Sequence, residues 1–220
     1  RTVELSQLFS VKAGVKLYEI GKGEPPQSKD VVDSKPYTSF DRKDADWTVL
    51  CRGGDIDRYK LIDRGEYVHY GRWLAAPRTP EMFSLPKILM RRTDDRLRST
   101  FDKSGSVAVN SCHVIQLKSD CDCKDQRYLS TLAILNSSVC QWAFETDNPQ
   151  MVGKTFSEIK VVYVERLPIP KLDSTETKLL ASLAHSLLLL SGAAPEGALD
   201  STEITFLEDL TDACVMECYF

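Results

Sequence analysis

Histidine is scarce in this chain, three in 220 residues, and long apolar runs are absent: the longest, Leu187 to Leu190, is four residues against the ~20 that a membrane-spanning helix needs. No stretch combines a basic start, an apolar segment and a small-residue cleavage site. His69 lies in a Tyr-Val-His-Tyr run, His113 follows Cys112, and His185 sits in a helical stretch, with no Gly-x-Ser-x-Gly around a nucleophile. A hydrolytic triad is therefore not expected. Seven cysteines, an odd number and scattered, argue against a disulfide framework and for a reducing cytoplasm. Metal sites are also not expected. Cys112-His113 with Cys121-Asp122-Cys123 supplies one poor knuckle where zinc sites use two, and Cys214 and Cys218 merely share a helical turn. Gly21-Lys22-Gly23 and Arg52-Gly53-Gly54-Asp55 complete no phosphate-binding loop. They read as turns, which leaves the chain without a cofactor site of its own. Asp147-Asn148-Pro149-Gln150 lacks the second proline and the ring of an adenine-gripping loop, and Glu158-Ile159-Lys160 lacks the Pro-Asp that would make it half of a nuclease motif.

Charge is more informative by segment than in total. The net is −4, yet residues 1–172 carry 27 basic against 23 acidic side chains, or +4, and residues 173–220 carry one against nine, or −8. A basic face on the main body is compatible with an acidic whole. The length fits one domain or one domain with an appendage, and a first residue that is Arg1 rather than Met suggests a piece of a longer protein.

Short β-branched and aromatic runs alternate with Gly, Pro and Asp over residues 1–172, as in a strand-rich body. Strands are expected at Trp47–Cys51, Tyr67–Tyr70, Lys87–Arg91, Ser106–Ile115 and Ile159–Val164. One helix is expected over Gln126–Phe144, where Leu129, Leu132, Ala133, Leu135, Val139, Cys140 and Ala143 recur at helical spacing. Pro168 and Pro170 should end the body, since proline lacks an amide donor. Asp173–Leu190 and Asp200–Tyr219 then read as two helices joined by a turn at 191–197. Asp173 or Ser174 caps the first, and Asp200 with Glu203 forms a capping box for the second. The fold class is α+β: a strand-rich body, 1–172, followed by a helical hairpin, 173–220, packed on it or on the rest of the parent protein.

An aromatic-basic pattern stands out. Tyr67, Tyr70, Arg72, Trp73 and Arg78 precede Lys87, Arg91, Arg92, Arg96, Arg98 and Lys103, and residues 86–105 hold six basic against three acidic side chains. Arginine grips phosphates or bonds two acceptors on guanine, and aromatic rings stack on bases. The competing reading is a salt-bridged surface in which Asp94 and Asp95 neutralise the arginines.

Six stretches in order together resemble the TaqI-like C-terminal specificity domain of adenine-specific DNA methyltransferases and fused restriction-modification enzymes. They are Tyr18-Glu-Ile-Gly21-Lys22-Gly23-Glu-Pro25-Pro26-Gln27, Arg52-Gly53-Gly54-Asp55-Ile56-Asp57-Arg58-Tyr59, Tyr70-Gly71-Arg72-Trp73-Leu74 through Pro77-Arg78, Pro86-Lys87-Ile88-Leu89-Met90-Arg91-Arg92, Leu132-Ala-Ile-Leu135-Asn136-Ser137, and Leu167-Pro168-Ile169-Pro170. The resemblance implies a non-catalytic domain that binds double-stranded DNA and reads a target sequence. A separate N-terminal methyltransferase domain of the same chain would bind S-adenosylmethionine and transfer the methyl group, with or without a fused endonuclease. Lys87, Arg91, Arg92, Arg96 and Arg98 are the expected DNA contacts, with Arg52, Arg72 and Arg78 next. Gly53, Asn136, Pro168 and Pro170 are expected to be structural. The rival expectation is a protein-interaction module working through the acidic, Leu-rich hairpin.

Overall fold

The computed structural model describes residues 2–118, 124–151, 153, 158–193 and 202–220. In chain order the elements are β1 (Thr2–Glu4), α1 (Leu5–Leu8), β2 (Phe9–Ala13), α2 (Lys29–Ser34), β3 (Thr38–Ser39), β4 (Trp47–Cys51), β5 (Ile56–Asp57), β6 (Lys60–Leu61), β7 (Tyr67–His69), α3 (Glu81–Ser84), β8 (Lys87–Arg91), β9 (Ser99–Asp102), β10 (Val107–Ala108) and β11 (Cys112–Leu117). They continue with α4 (Lys124–Leu135), α5 (Ser138–Asp147), α6 (Val161–Glu165), β12 (Pro168–Pro170), α7 (Ser174–Ala193) and α8 (Thr202–Tyr219).

The central sheet runs β2-β11-β8-β9 with every pair antiparallel. Successive side chains of a strand point to opposite faces, and β8 divides accordingly. Ile88 and Met90 join one core with Leu132, Leu135, Leu180, Ala184 and Leu187 of the helices. Leu89 joins a second core with Val15, Leu50, Val68 and Leu74 beneath the other sheet, β10-β4-β7-β3. The result is an α+β, three-layered arrangement of helices, central sheet and second sheet. The short β5-β6 pair adjoins the β8–β9 end of the central sheet.

Several local expectations are corrected. The single helix over Gln126–Phe144 is two helices, α4 and α5, broken at Asn136-Ser137. Ser137 Oγ accepts the Cys140 amide at 3.1 Å and donates to the Ile134 carbonyl at 2.7 Å, so it caps the second helix as it closes the first. Asn136 is buried, and its amide exchanges bonds of 2.9 and 3.0 Å with Ser99 N and O, which clamps the helix break onto β9. Ser106–Ile115 splits into β10 and β11 around a turn at Asn110–Ser111.

Ile159–Val164 is not a strand: α6 begins at Val161 despite its β-branched residues. Burial of Ile159, Val164 and Leu167 on the helical core outweighs propensity there. Pro168 and Pro170 do not end the sheet structure but flank Ile169 in β12, paired antiparallel with β1. Residues two apart direct their nitrogens to the same side, so both missing donors can lie on the unpaired edge.

The hairpin helices form as expected, with Asp173 Oδ1 accepting the Thr175 and Glu176 amides at 2.7 and 2.8 Å and Glu176 closing the capping box back on Asp173 N. α7 runs through Gly192 to Ala193, so the predicted turn at 191–197 starts inside the helix. Its remainder and the Asp200 cap lie outside the described residues. Leu180, Leu187, Ile204 and Val215 are each 3% exposed or less, so both helices pack on the body. Among the described residues, no helix is long and apolar enough to cross a membrane.

Candidate functional site

Most of the cations expected at the surface have internal partners. Lys87 is withdrawn entirely: its side chain is 0% exposed, with Nζ 2.6 Å from Asp102 Oδ2 and 2.7 Å from the Phe83 carbonyl. Burial raises the Asp102 pKa, but the charge of Lys87 and bonds from Lys87, Ser104 and Ser106 more than reverse this and hold it below the usual carboxylate range. Arg91 donates to the Gly53 carbonyl, Asp94 Oδ2 and the Ile56 carbonyl at 2.9, 2.9 and 2.8 Å, tying the central sheet to the Arg-Gly-Gly-Asp turn. Asp94 Oδ2 also lies 3.0 Å from Arg98 Nε, and Arg98 reaches Asp57 Oδ1 at 2.9 Å. Arg92 bonds the Asn110 carbonyl at 2.9 Å and pairs with Glu158. Arg52 forms a two-bond fork on Glu66, each contact 2.6 Å. The salt-bridged reading thus describes Arg91, Arg92, Arg98 and Arg52, although Asp95 ties none of them. Arg96, on the β8–β9 loop, is exposed and makes no hydrogen bond or ion pair among the described residues. The Arg72 side chain is likewise exposed and unbonded among the described residues, and the exposed Arg78 side chain gives one bond, from Nε to the Ala13 carbonyl at 3.1 Å.

Three loops instead converge at the Trp47 end of β4. Register places Trp47 opposite His69, and their rings stack at 5.6 Å with 17° between planes. His69 contacts Trp73 at 4.4 Å, Trp73 contacts Tyr37 at 6.0 Å, and Tyr37 stacks on Tyr18 at 5.8 Å and 7°. Lys43 Nζ caps this ladder, 4.9 Å above the Trp47 ring, a cation–π geometry. Backbone bonds fix the ladder in place: Trp73 Nε1 donates to the His69 carbonyl at 2.9 Å, His69 N to the Tyr37 carbonyl at 3.0 Å, and Tyr37 N to Tyr18 Oη at 2.8 Å.

The Gly-Lys-Gly stretch belongs to the same assembly. Buried Gln27 donates to the Leu17 and Trp73 carbonyls at 2.9 and 2.8 Å and accepts the Glu19 amide at 2.9 Å. Glu24 N reaches the Arg72 carbonyl at 2.9 Å. Gly23, at φ 86°, sits so close that a Cβ would lie 2.4 Å from the Trp73 carbonyl oxygen. Gly53 is equally crowded by the Ser111 carbonyl, 2.6 Å from where its Cβ would be. At Gly23 and Gly53 another segment of the chain lies where a side chain would begin, which is why glycine stands in both turns.

The ladder presents Lys22, Arg42, Lys43 and Arg72 on neighbouring loops, all exposed. Lys22, Arg42 and Arg72 make no hydrogen bond or ion pair through their side chains among the described residues. Sequence reasoning found Arg72 but missed Lys22, Arg42 and Lys43. The signals were a lysine at the tip of a glycine turn and an Arg-Lys pair five residues before Trp47. Arg96 is at the opposite end of β4, since Arg91 anchors its loop beside Gly53. Five strand residues at about 3.3 Å each separate the two ends by roughly 15 Å.

His113 is buried, with Nε2 2.7 Å from the Ile159 carbonyl, and burial pushes its pKa down to about 4. Glu158 pairs with Arg92, and Asn148 folds back on the Phe144 carbonyl at 2.9 Å. Among the described residues no three His, Cys, Asp or Glu side chains gather as a metal site. Cys121 and Cys123 lie outside those residues.

A family model, the TaqI-like C-terminal specificity domain, matches residues 48–169. No curated protein sequence matches. Among solved structures, the chain is similar to the type IIL restriction-modification enzyme MmeI, solved in complex with DNA, at TM-score 0.61 and 11% identity over 100% of this chain and 34% of that one. It is also similar to the type IIG restriction endonuclease BpuSI at TM-score 0.52 and 10% identity, over 98% of this chain and 31% of that one. At such identities the likeness is one of fold, and the chain spans about a third of either enzyme.

Proposed function

The chain belongs to the TaqI-like C-terminal specificity domain family, and from that premise we propose that it reads a target sequence in double-stranded DNA for an adenine-specific methyltransferase domain of the same protein, acting in the cytoplasm. DNA target recognition is the work of such a domain in restriction-modification systems. The methyltransferase partner, its adenine specificity and its S-adenosylmethionine are inferences from the family. In this reading methyl transfer falls to that other domain. MmeI, with the same fold, has been captured on DNA.

One observation carries the assignment of the surface. Lys87 and Arg91 of the central sheet and Arg92 and Arg98 beside it are engaged internally, whereas Lys22, Arg42, Lys43 and Arg72 project from loops locked by one ladder of rings. Exposed lysine and arginine displace counterions at phosphates and set register, while side chains on fixed loops meet base edges. Locking the loops beforehand lowers the entropy lost on binding. Arg78 and Arg96 extend the contact beyond this cluster, and Lys87 takes no part.

The test is fluorescence anisotropy with labelled duplexes, using the chain alone and joined to its methyltransferase half. Binding should weaken steeply and linearly in log–log form with salt. Replacing Arg42 and Arg72 together by Ala should flatten that slope. Absence of binding at low salt in both forms would sink the proposal.

A further inference from the structure

We propose that the outward face of the α7–α8 hairpin is a docking surface for a basic amphipathic helix of a partner polypeptide. This goes beyond DNA recognition and does not depend on it. Twelve large hydrophobic side chains are exposed among the described residues, and six of them, Leu179, Leu189, Leu190, Phe206, Leu210 and Met216, lie on these two helices. Together the helices account for only 38 residues. Isolated exposed apolar groups are ordinary; a concentration of them on one supersecondary unit marks an interaction site.

On α8 the spacing shows a second face, not the frayed edge of the core. α8 buries Ile204, Thr211 and Val215, and Phe206, Leu210 and Ala213 follow each other at i, i+4 and i+7 on a different side. α7 buries Leu180, Ala181, Leu183, Ala184, Leu187 and Ser191, and the exposed Leu179 and Leu190 lie three turns apart along the margin of that buried face, with exposed Leu189 beside them. α8 therefore carries an inward stripe that closes the core and an outward stripe at the spacing by which one helix receives another, and α7 adds Leu179, Leu189 and Leu190 at the edge of its buried face.

Charge selects the occupant. The segment 173–220 has Lys178 against nine acidic residues. Glu203, Asp209 and Glu217 are exposed beside the Phe206–Leu210–Ala213 stripe. Two copies of this face would set those carboxylates against one another. A helix with an apolar stripe flanked by lysine or arginine matches both the apolar and the charged parts.

The probe is a synthetic 21-residue helix with Leu at the a and d positions of three heptads and Lys elsewhere, titrated against the whole chain by fluorescence anisotropy at 0.15 M salt. The controls are the same peptide with Glu in place of Lys, and with Ser in place of Leu. The Leu/Lys peptide should bind and both controls should fail. Leu190→Ser with Phe206→Ser should weaken binding about tenfold or more while leaving the thermal melting point and the affinity for DNA unchanged. Equal binding of the Leu/Lys and Ser/Lys peptides, or undiminished binding by the double variant, would overturn the proposal. So would sedimentation of the chain as a dimer that the double variant dissociates, which would make a second copy the occupant.

Discussion

Lys87 and Asp102 lie directly opposite one another on β8 and β9, Nζ 2.6 Å from Oδ2, with neither side chain more than 2% exposed. An ammonium and a carboxylate taken out of water together are tolerable only as a pair. Lys87→Ala leaves Asp102 with Ser104 and Ser106 but without its counter-charge, and should cost about 3–5 kcal/mol of stability, measured by urea unfolding at pH 7. Because the folded Asp102 titrates below its unfolded value, its contribution is present above about pH 4 and is lost as the pH falls further. The Lys87→Ala variant should show less of that acid loss than the parent.

Arg91 and Arg96, five residues apart, should answer mutation differently. Arg91→Ala removes two bonds from the central sheet to the turn at Gly53–Ile56 and a third to Asp94, and should lower stability by about 3 kcal/mol. Arg96→Ala removes no bond among the described residues. It should leave the melting point unchanged while lowering DNA affinity by a few-fold and the salt slope by about one unit. Equal melting points for the two variants would contradict the placement of Arg91.

Trp73 contributes no charge, yet its loss should weaken DNA binding. Trp73→Ala breaks the ladder between His69 and Tyr37 and frees the loops bearing Lys22 and Arg72, at a cost of about 3 kcal/mol in stability. Trp73→Phe keeps a stacking ring and should recover much of the affinity. Anisotropy and calorimetry on the two variants decide the point.

His113 gives the fold a pH dependence in a definite window. The folded side chain is neutral with a pKa near 4 because it is buried, against about 6.5 unfolded, so the unfolded chain binds the extra proton. Stability should therefore fall as pH drops from about 6.5 toward 4, by at most about 3 kcal/mol, and flatten with respect to this group below that. Urea midpoints between pH 7 and 4.5 should decline in the parent and stay nearly level in His113→Gln.

How much of this was legible in the sequence varied with the range of the interactions involved. Lys87–Arg91 reads as a strand from its apolar centre, and α7 from its leucines and its N-cap at Asp173 or Ser174, because those signals are local. The break at Asn136 was hidden, since helical spacing continues across it and only a clamp on Ser99 interrupts the helix. α6 contradicts its own β-branched residues because burial of Val164 and Leu167 decides there. At the candidate site, positive charge was visible but its use was not. A lysine that pairs with an aspartate fifteen positions later looks the same in sequence as one facing solvent, and the ring ladder joins residues from Tyr18 to Trp73 that no short motif connects.

The pairing of Thr2–Glu4 with Pro168–Pro170, continued by Leu5 N to the Leu167 carbonyl at 2.9 Å, brings the two margins of the strand-rich body side by side. Everything between them, the main sheets and all the loops that bear the free cations, leaves and returns at one point of the chain, while α4 packs on α7 across the shared core. The loops lie away from that shared core, so their sequences can change while β1, β12 and the packed helices stay in place, and a change of target would amount to replacing loops on a fixed frame.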